Sequence, residues 1–492
     1  MATIKDITTK CKAGEIAEAY EIALQDWQNA PDDVWTQREV GWALYYYIKE
    51  DVEQKRTDSF YEHLEKLGEL TLLDLTNDKL IYENLLWKVA EFAKGFQTED
   101  FAAMDTLFSK IQNYHFCPSR PYSLLLQYFI KFEGWNQLAD FIDWWDLNNL
   151  TPEDYEQFQM ENGKKVMSLA ERAYIAYSKA LLKLGDQERI AAFIPRIEAL
   201  MDAHPEMLYP GYFCGKLLIA QGAGKEEALK KVIPFVRKKI NEFWAWQLMS
   251  DIFRDEPEKQ LACLLRAVHC KTQESFLGKI RVRLAEIYIQ KQDYPRAKYN
   301  IDTVSSCYVE QGWRLPNQLQ QWAWQPWLKT TQSDKSDPFD YKPVTDEILF
   351  TELAECLAMV TYVDVQNKRA ALVYGIKQKT MAKYGHWGLK PKEGLVLKLK
   401  YTPAGDDINI VRAEQVQGPF NLPYVKIVNG TVDKRDANPF AFLRTGKDDI
   451  FLSPSIVSKY HLTGNETVTA AAVYDFNKKK GEWNWTCISI KQ

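Results

Sequence analysis

The sequence is poor in what enzymes, metal sites and membrane segments need. It has only six histidines, no Cys-x-x-Cys pair among its eight cysteines, and no run near the roughly 18 apolar residues of a membrane-spanning helix. The cysteines, scattered at 11, 117, 214, 263, 270, 307, 356 and 487, exclude a disulfide framework and a structural zinc, and they fit a reducing cytoplasm. The first ten residues carry Lys5, Asp6 and Lys10 where a secretory leader would have an apolar core, so export is not expected.

Catalytic signatures are equally scarce. Gly222-Ala-Gly224-Lys225-Glu226 lacks the first glycine and the hydroxyl residue of a phosphate-binding loop, and it reads as a turn between helices. Cys263, His269 and Cys270 fall on different faces of a helical segment and so predict no metal site. The pairs Asp32-Asp33, Asp406-Asp407 and Asp448-Asp449 stand where aspartate caps helices or turns chains, not where a coupled acid and base would work. The expectation is a protein without enzymatic activity, cofactor or metal.

What is present is a long, well-furnished chain. Its 492 residues are 46% hydrophobic and 26% charged, enough for about three folded domains, and 16 tryptophans promise extensive ring packing. The net charge of −5 conceals a division. Residues 360–492 hold 20 Lys+Arg against 12 Asp+Glu, a net of +8, which leaves 42 against 55, a net of −13, in residues 1–359. The basic part is expected to face an anion such as nucleic acid, or to keep strand edges soluble.

Residues 1–328 read as successive helices with apolar residues three and four apart. Trp246-x-x-Met249-Ser250-x-x-Phe253, followed by Ala262, and Leu284-Ala285-x-x-Tyr288, followed by Ala297 and Ile301, carry the spacing of a 34-residue helix-turn-helix repeat. Looser matches occur at Gly14, Ala19, Ala23 and Pro31 with Val40-Gly41-x-x-Leu44, and at Tyr177, Leu181, Gly185 and Ile190. The pattern resembles the tetratricopeptide family. The resemblance implies an α-solenoid, divergent over 1–165 and clearer over 166–328, with a protein partner on its surface. Aromatic runs such as Tyr45-Tyr46-Tyr47, Trp144-Trp145 and Trp244-Ala-Trp246 are expected to be solenoid core. A polar stretch without periodicity, 329–343, reads as a linker.

A helix is expected over Val344–Met359, and beyond Val360 short alternating strands punctuated by Gly, Asn, Asp and Pro predict two small antiparallel barrels, within 344–420 and 421–492. In the second, Gly430-Thr-Val432, Phe440-Ala-Phe442-Leu443, Asp449-Ile-Phe451-Leu452, Gly464-x-x-x-Val468 and Lys480-Gly481 follow the order of a cold-shock domain, which this segment resembles. The resemblance implies an oligonucleotide-binding barrel in which Phe440, Phe442 and Phe451 stack single-stranded bases and Lys434, Arg435 and Arg444 hold phosphates. Three departures stand out. Lys434-Arg435 replaces the family's Trp-Phe pair, Ala441 replaces a glycine, and Ser453 replaces a histidine.

The first barrel is expected to be a fainter copy offering Tyr362, Tyr374, Tyr384, His386 and Trp387, with Lys377, Lys379 and Lys383 in a loop between strands. Some of these rings must point inward, because alternate residues of a barrel fill its core. The fold class expected is therefore α+β multidomain, an α-solenoid followed by two OB/cold-shock-like barrels. The expected function is an adaptor that binds single-stranded RNA or DNA through the barrels and a protein through the solenoid. The alternative is a pure protein-interaction scaffold, and repeat proteins of this kind resemble those of bacterial stress or phage-defence systems.

Overall fold

The computed structural model describes residues 2–491 apart from 98, 162, 164, 386, 406, 419, 478 and 479. The chain divides into two compact units, Met1–Tyr341 and Lys342–Gln492.

The first unit is helical. From Leu169 onward the helices come in consecutive pairs: Leu169–Leu184 with Gln187–Ala203, Pro210–Gln221 with Lys225–Lys238, Phe243–Ile252 with Pro257–Val268, and Gly278–Gln290 with Tyr294–Glu310. Local chemistry sets the joints. Gly185, at φ 69°, closes the first helix in the left-handed conformation that glycine adopts without strain, and the Asp186 carboxylate opens the next by accepting from the Glu188 and Arg189 amides. Gly222-Ala-Gly224-Lys225 is likewise a joint, with Gly222 at φ 76° ending one helix and Lys225 opening the next and pairing with Asp255 at 2.8 Å.

The small and aromatic residues singled out in the sequence are the packing between helices. Trp246, Met249, Ser250, Phe253, Ala262, Leu284, Ala285, Tyr288, Ala297 and Ile301 are all buried. Upstream, Phe60 stacks on Phe92 and Phe129 on Phe141, both at 4.1 Å between centroids, and Trp145 on Tyr122 at 4.6 Å. Such pairs add about 0.5–1.5 kcal/mol each beyond their buried area.

The stretch read as a linker is a strap bound to the last helix pair. The Asp334 amide donates to the Pro295 carbonyl at 3.1 Å, Arg296 Nε donates to the Ser336 carbonyl at 2.6 Å, and the Tyr288 hydroxyl donates to Asp337. Its polar composition serves side-chain to backbone bonding, which leaves no periodicity in the sequence.

A helix over Tyr341–Phe350 carries the chain into the second unit and gives way to strand from Ala354, so the expected helix to Met359 is cut short. The strands are β1 (Ala354–Asp364), β2 (Arg369–Gly375), β3 (Gln378–Lys383), β4 (Val396–Ala404), β5 (Asp407–Gln415), β6 (Val425–Lys434), β7 (Ala441–Arg444), β8 (Asp449–Leu452), β9 (Thr467–Asn477) and β10 (Glu482–Lys491). The segment of Lys379 and Lys383 is thus a strand, β3, rather than a loop.

Both sheets run third, second, first, fourth, fifth strand: β3-β2-β1-β4-β5, then β8-β7-β6-β9-β10. Only the second closes. There β8 pairs in parallel with β10 at Phe451 and Thr486, sealing a five-stranded barrel. The first sheet stays open in its backbone ladder, so of the two OB-like barrels expected the second is a closed barrel and the first a five-stranded open sheet. Its edge strands meet through a side chain, the Thr380 hydroxyl donating to Asp407 at 3.2 Å.

The barrel core is Val432, Leu443, Ile450, Leu452, Ala470, Ala472, Cys487 and Ile490, plugged at one end by Ile456 and Val457 from helix Pro454–Lys459. Gly430 is required by close approach, since a Cβ there would stand 2.5 Å from the Arg444 carbonyl oxygen and 2.9 Å from Leu443 Cγ. The two sheets are not independent beads. Met359 and Val373 of the first pack with Leu422, Tyr424 and Val473 of the second, and Tyr424 donates its hydroxyl to the Leu357 carbonyl at 2.6 Å.

Candidate nucleic-acid interface

Strand alternation decides which side chains β7 and β8 offer. Ala441, Leu443, Ile450 and Leu452 turn into the core, which sends Phe442, Arg444, Asp449 and Phe451 outward. Phe442 and Phe451 are register partners across the two strands, and Phe440 joins them from the residue before β7. The three rings form a cluster with centroids 5.7–5.9 Å apart and planes tilted 45–89° to one another. The sequence-derived trio is therefore one partly exposed patch on the outside of a closed barrel, able to take bases on ring faces and edges.

The cations around it are unequal. Lys434 and Arg435 have no ion pair among the described residues. Arg444, expected to hold phosphate, is engaged: it donates to Asp433 at 2.7 and 2.9 Å and to Asp449, and its guanidinium carbon lies 5.4 Å from the Phe442 ring. The hydrogen bonds to Asp449 and Asp433 raise its pKa further. Lys426 bonds Asp448 at 2.5 Å while standing 3.8 Å over the Trp485 ring. The rim thus carries Asp433, Asp448 and Asp449 among its cations, so the excess of +8 over 360–492 does not concentrate here. Asp433 is eleven residues from Arg444 in sequence, and only the pairing of β6 with β7 reveals the contact. Ser453, where a histidine was expected, is spent locally: its hydroxyl caps the following helix at the Ile456 amide.

The first sheet offers far less than the sequence suggested. Trp387 is 8% exposed within the core of that sheet, and Tyr374 and Tyr384 pack against the same core. Burial pushes the Tyr374 phenol up from its ordinary value. Trp387 is thus a core position and Tyr374 a half-buried one packed against it, because inward positions of β2 and the following loop fill the sheet. Among the described residues of this set, Tyr362 is the ring that faces out, 52% exposed, beside Ala371 and Met381 on β2 and β3. His386 lies outside the described residues. On this outer face, the portion at Met359 and Val373 is covered by the second sheet.

A further ring cluster went unread in the sequence. Tyr474 and Phe476 on β9 face Trp485 and Trp483 on β10 as register partners, with Tyr474 5.9 Å from Trp483 and 5.3 Å from Trp485, and Phe476 5.6 Å from Trp483. The signal was two aromatic-x-aromatic pairs flanking a Gly481 turn, a hairpin signature with rings on one face.

No cluster of three His, Cys, Asp or Glu side chains able to hold a metal occurs among the described residues, and no helix among them is long and apolar enough to cross a membrane. The eight cysteines are unpaired, and burial raises the thiols of Cys214 and Cys487 to about 12.

A closed five-stranded barrel with outward rings on its second and third strands fits an OB/cold-shock-like module over the second sheet. Consistent with that geometry, residues 426–490 match the family described as S1/CSD-like domain 2 of the TOTE conflict systems. Residues 208–345, which include the last three helix pairs and the strap, match a domain of unknown function (DUF7017). No curated protein matches the chain.

Proposed function

We propose that this protein is a non-enzymatic adaptor that binds single-stranded nucleic acid, RNA or DNA, on the second barrel and docks a protein partner on its helical unit. The observation that carries the reading is the Phe440–Phe442–Phe451 cluster, three rings gathered on the outer face of a barrel whose sequence matches an S1/CSD-like family. Bases stack on such rings whatever their identity, and Lys434 and Arg435 supply the adjacent charge. The first sheet acts as a divergent copy of the barrel that buttresses it, and Tyr362 is its one ring toward a bound strand. The helix pairs, whose first members begin at 169, 210, 243 and 278, support the tetratricopeptide-like solenoid and with it the docking of a partner. The family description supports a setting in a conflict system.

A second reading, a scaffold that binds only proteins, draws on the carboxylates of the rim and on the engagement of Arg444. Fluorescence anisotropy of the full chain with single-stranded RNA, single-stranded DNA and duplex separates the two. Salt-sensitive binding of single strands in preference to duplex is expected. Absence of binding at low salt would leave the scaffold.

A further inference from the structure

Strand β9 pairs with β6 only through Val473, and β10 meets β8 only at Thr486. Beyond those points, residues 474–477 and 482–485 continue as a two-stranded ribbon past the closure of the barrel. One edge is braced by Lys379 of the first sheet, which pairs with Asp475 at 2.5 Å.

The four rings on the ribbon divide into two sets. Trp485 packs against the barrel core and Tyr474 against the core shared with the first sheet, so both are structurally occupied. Phe476 and Trp483 lie further out, and among the described residues their ring contacts are to each other and, for Trp483, to Tyr474. As cross-strand partners these two rings help hold the ribbon in register, and both stay only half-buried, which leaves ring surface open to a ligand.

A series of contacts runs from these rings to the turn that joins the two platform strands. Asp448, in the turn between β7 and β8, holds Lys426; Lys426 lies over Trp485; Trp485 meets Tyr474; and Tyr474 stacks on Trp483 at an interplanar angle of 27°. The amine of Lys426, held by Asp448, stands between that turn and the ribbon rings, and a phosphate would meet it there only by displacing the carboxylate.

We infer that Phe476 and Trp483 form a second base-stacking site, so that a single strand seated on Phe440, Phe442 and Phe451 crosses the rim at Lys426 and is gripped again on the ribbon. This inference rests on the reading of the barrel as a single-strand binder and extends it: the bound strand is longer than the platform alone would hold.

The test is a length series of oligothymidylate and oligouridylate, from about 4 to about 16 nucleotides, the range over which single barrels of this type bind. Each is titrated against the full chain and its Trp483→Ala, Phe476→Ala, Trp483→Phe and Phe442→Ala variants. Affinity of the unaltered protein should climb with length. Trp483→Ala and Phe476→Ala should each flatten that climb, with a loss of roughly 5-fold to 150-fold on the longer strands and none on the shortest. Trp483→Phe, which keeps a ring and the packing of the ribbon, should retain most of the climb, and Phe442→Ala should weaken every length. If Trp483→Ala follows the unaltered protein at all lengths, or Trp483→Phe loses the climb as fully as the alanine variant, the ribbon only fastens the fold and the inference is overturned. If no oligonucleotide binds the unaltered protein, the reading of the barrel itself fails.

Discussion

Releasing Arg444 should make binding tighter and more salt-sensitive. In the free protein its guanidinium is held by Asp433 on β6 and Asp449 on β8, so the cation nearest Phe442 is neutralised before any phosphate arrives. Lys434 and Arg435 remain, which sets the number of phosphates neutralised near two and the slope of log K against log salt near −1.4, at about −0.7 per phosphate on a single strand. The double variant Asp433→Asn/Asp449→Asn keeps the shape of both side chains and frees Arg444, raising the number to about three and the slope to about −2.1. Measured against 1 M salt, one further phosphate contact multiplies affinity by about 8 at 50 mM and about 3 at 0.2 M, following the same exponent. Anisotropy titrations of the full chain with a labelled oligothymidylate at five or so salt concentrations give both slopes. The melting temperature should hardly move, since exposed ion pairs contribute little to stability. Equal slopes, or a variant that binds more weakly at low salt, would refute the reasoning, for then Arg444 is not the cation that the carboxylates withhold.

Other consequences are sharp enough to check. Gly430→Ala should push β6 away from β7 and cost about 1–3 kcal/mol, read in urea unfolding, because its Cβ meets backbone rather than a yielding side chain. Trp387→Ala should destabilise the second unit by about 3–5 kcal/mol, yet the molecules that remain folded should bind oligonucleotide with unchanged affinity, as expected of a core residue. In the helical unit, burial and the carboxylates of Asp26, Asp33 and Asp6 raise Glu39 from 4.5 to about 7, and one of its buried oxygens lacks a hydrogen-bond partner. The folded state then holds a proton that the unfolded state releases, so stability falls as pH rises from about 4.5 to 7. Glu39→Gln should therefore stabilise by about 1–2 kcal/mol at pH 8, after allowance for screening, and by nothing at pH 4; an equal effect at both would contradict the assignment.

The ring platform was legible because it depends on short-range rules. An aromatic-x-aromatic run on a strand fixes two rings to one face, and the alternation of Ala441, Leu443, Ile450 and Leu452 says which face is core. Helix joints were legible for the same reason, as Gly185 and Asp186 act through their own backbone. What escaped depends on partners distant in sequence. The neutralisation of Arg444 needs the β6–β7 register, and the inward turn of Trp387 needs the curvature of a whole sheet. The strap over Arg296 and Tyr288 looked like a linker because its bonds are made by polar groups, which leave no hydrophobic period. Whether the first sheet closes was not legible, because closure depends on whether two edge strands meet, and there Thr380 bonds Asp407 through side chains. The ribbon rings were visible as Tyr474-x-Phe476 and Trp483-x-Trp485, but their common face appears only once β9 and β10 are paired.

The central claim is that the outer face of the second barrel is where a single strand lies. Photo-crosslinking of the full chain to an oligouridylate carrying 4-thiouridine, followed by mass spectrometry of the joined peptides, reads that position directly. The account predicts crosslinks within residues 440–451, lost in the Phe440→Ala/Phe442→Ala variant. Crosslinks confined to residues 1–341, at concentrations where the strand is saturated, would contradict it.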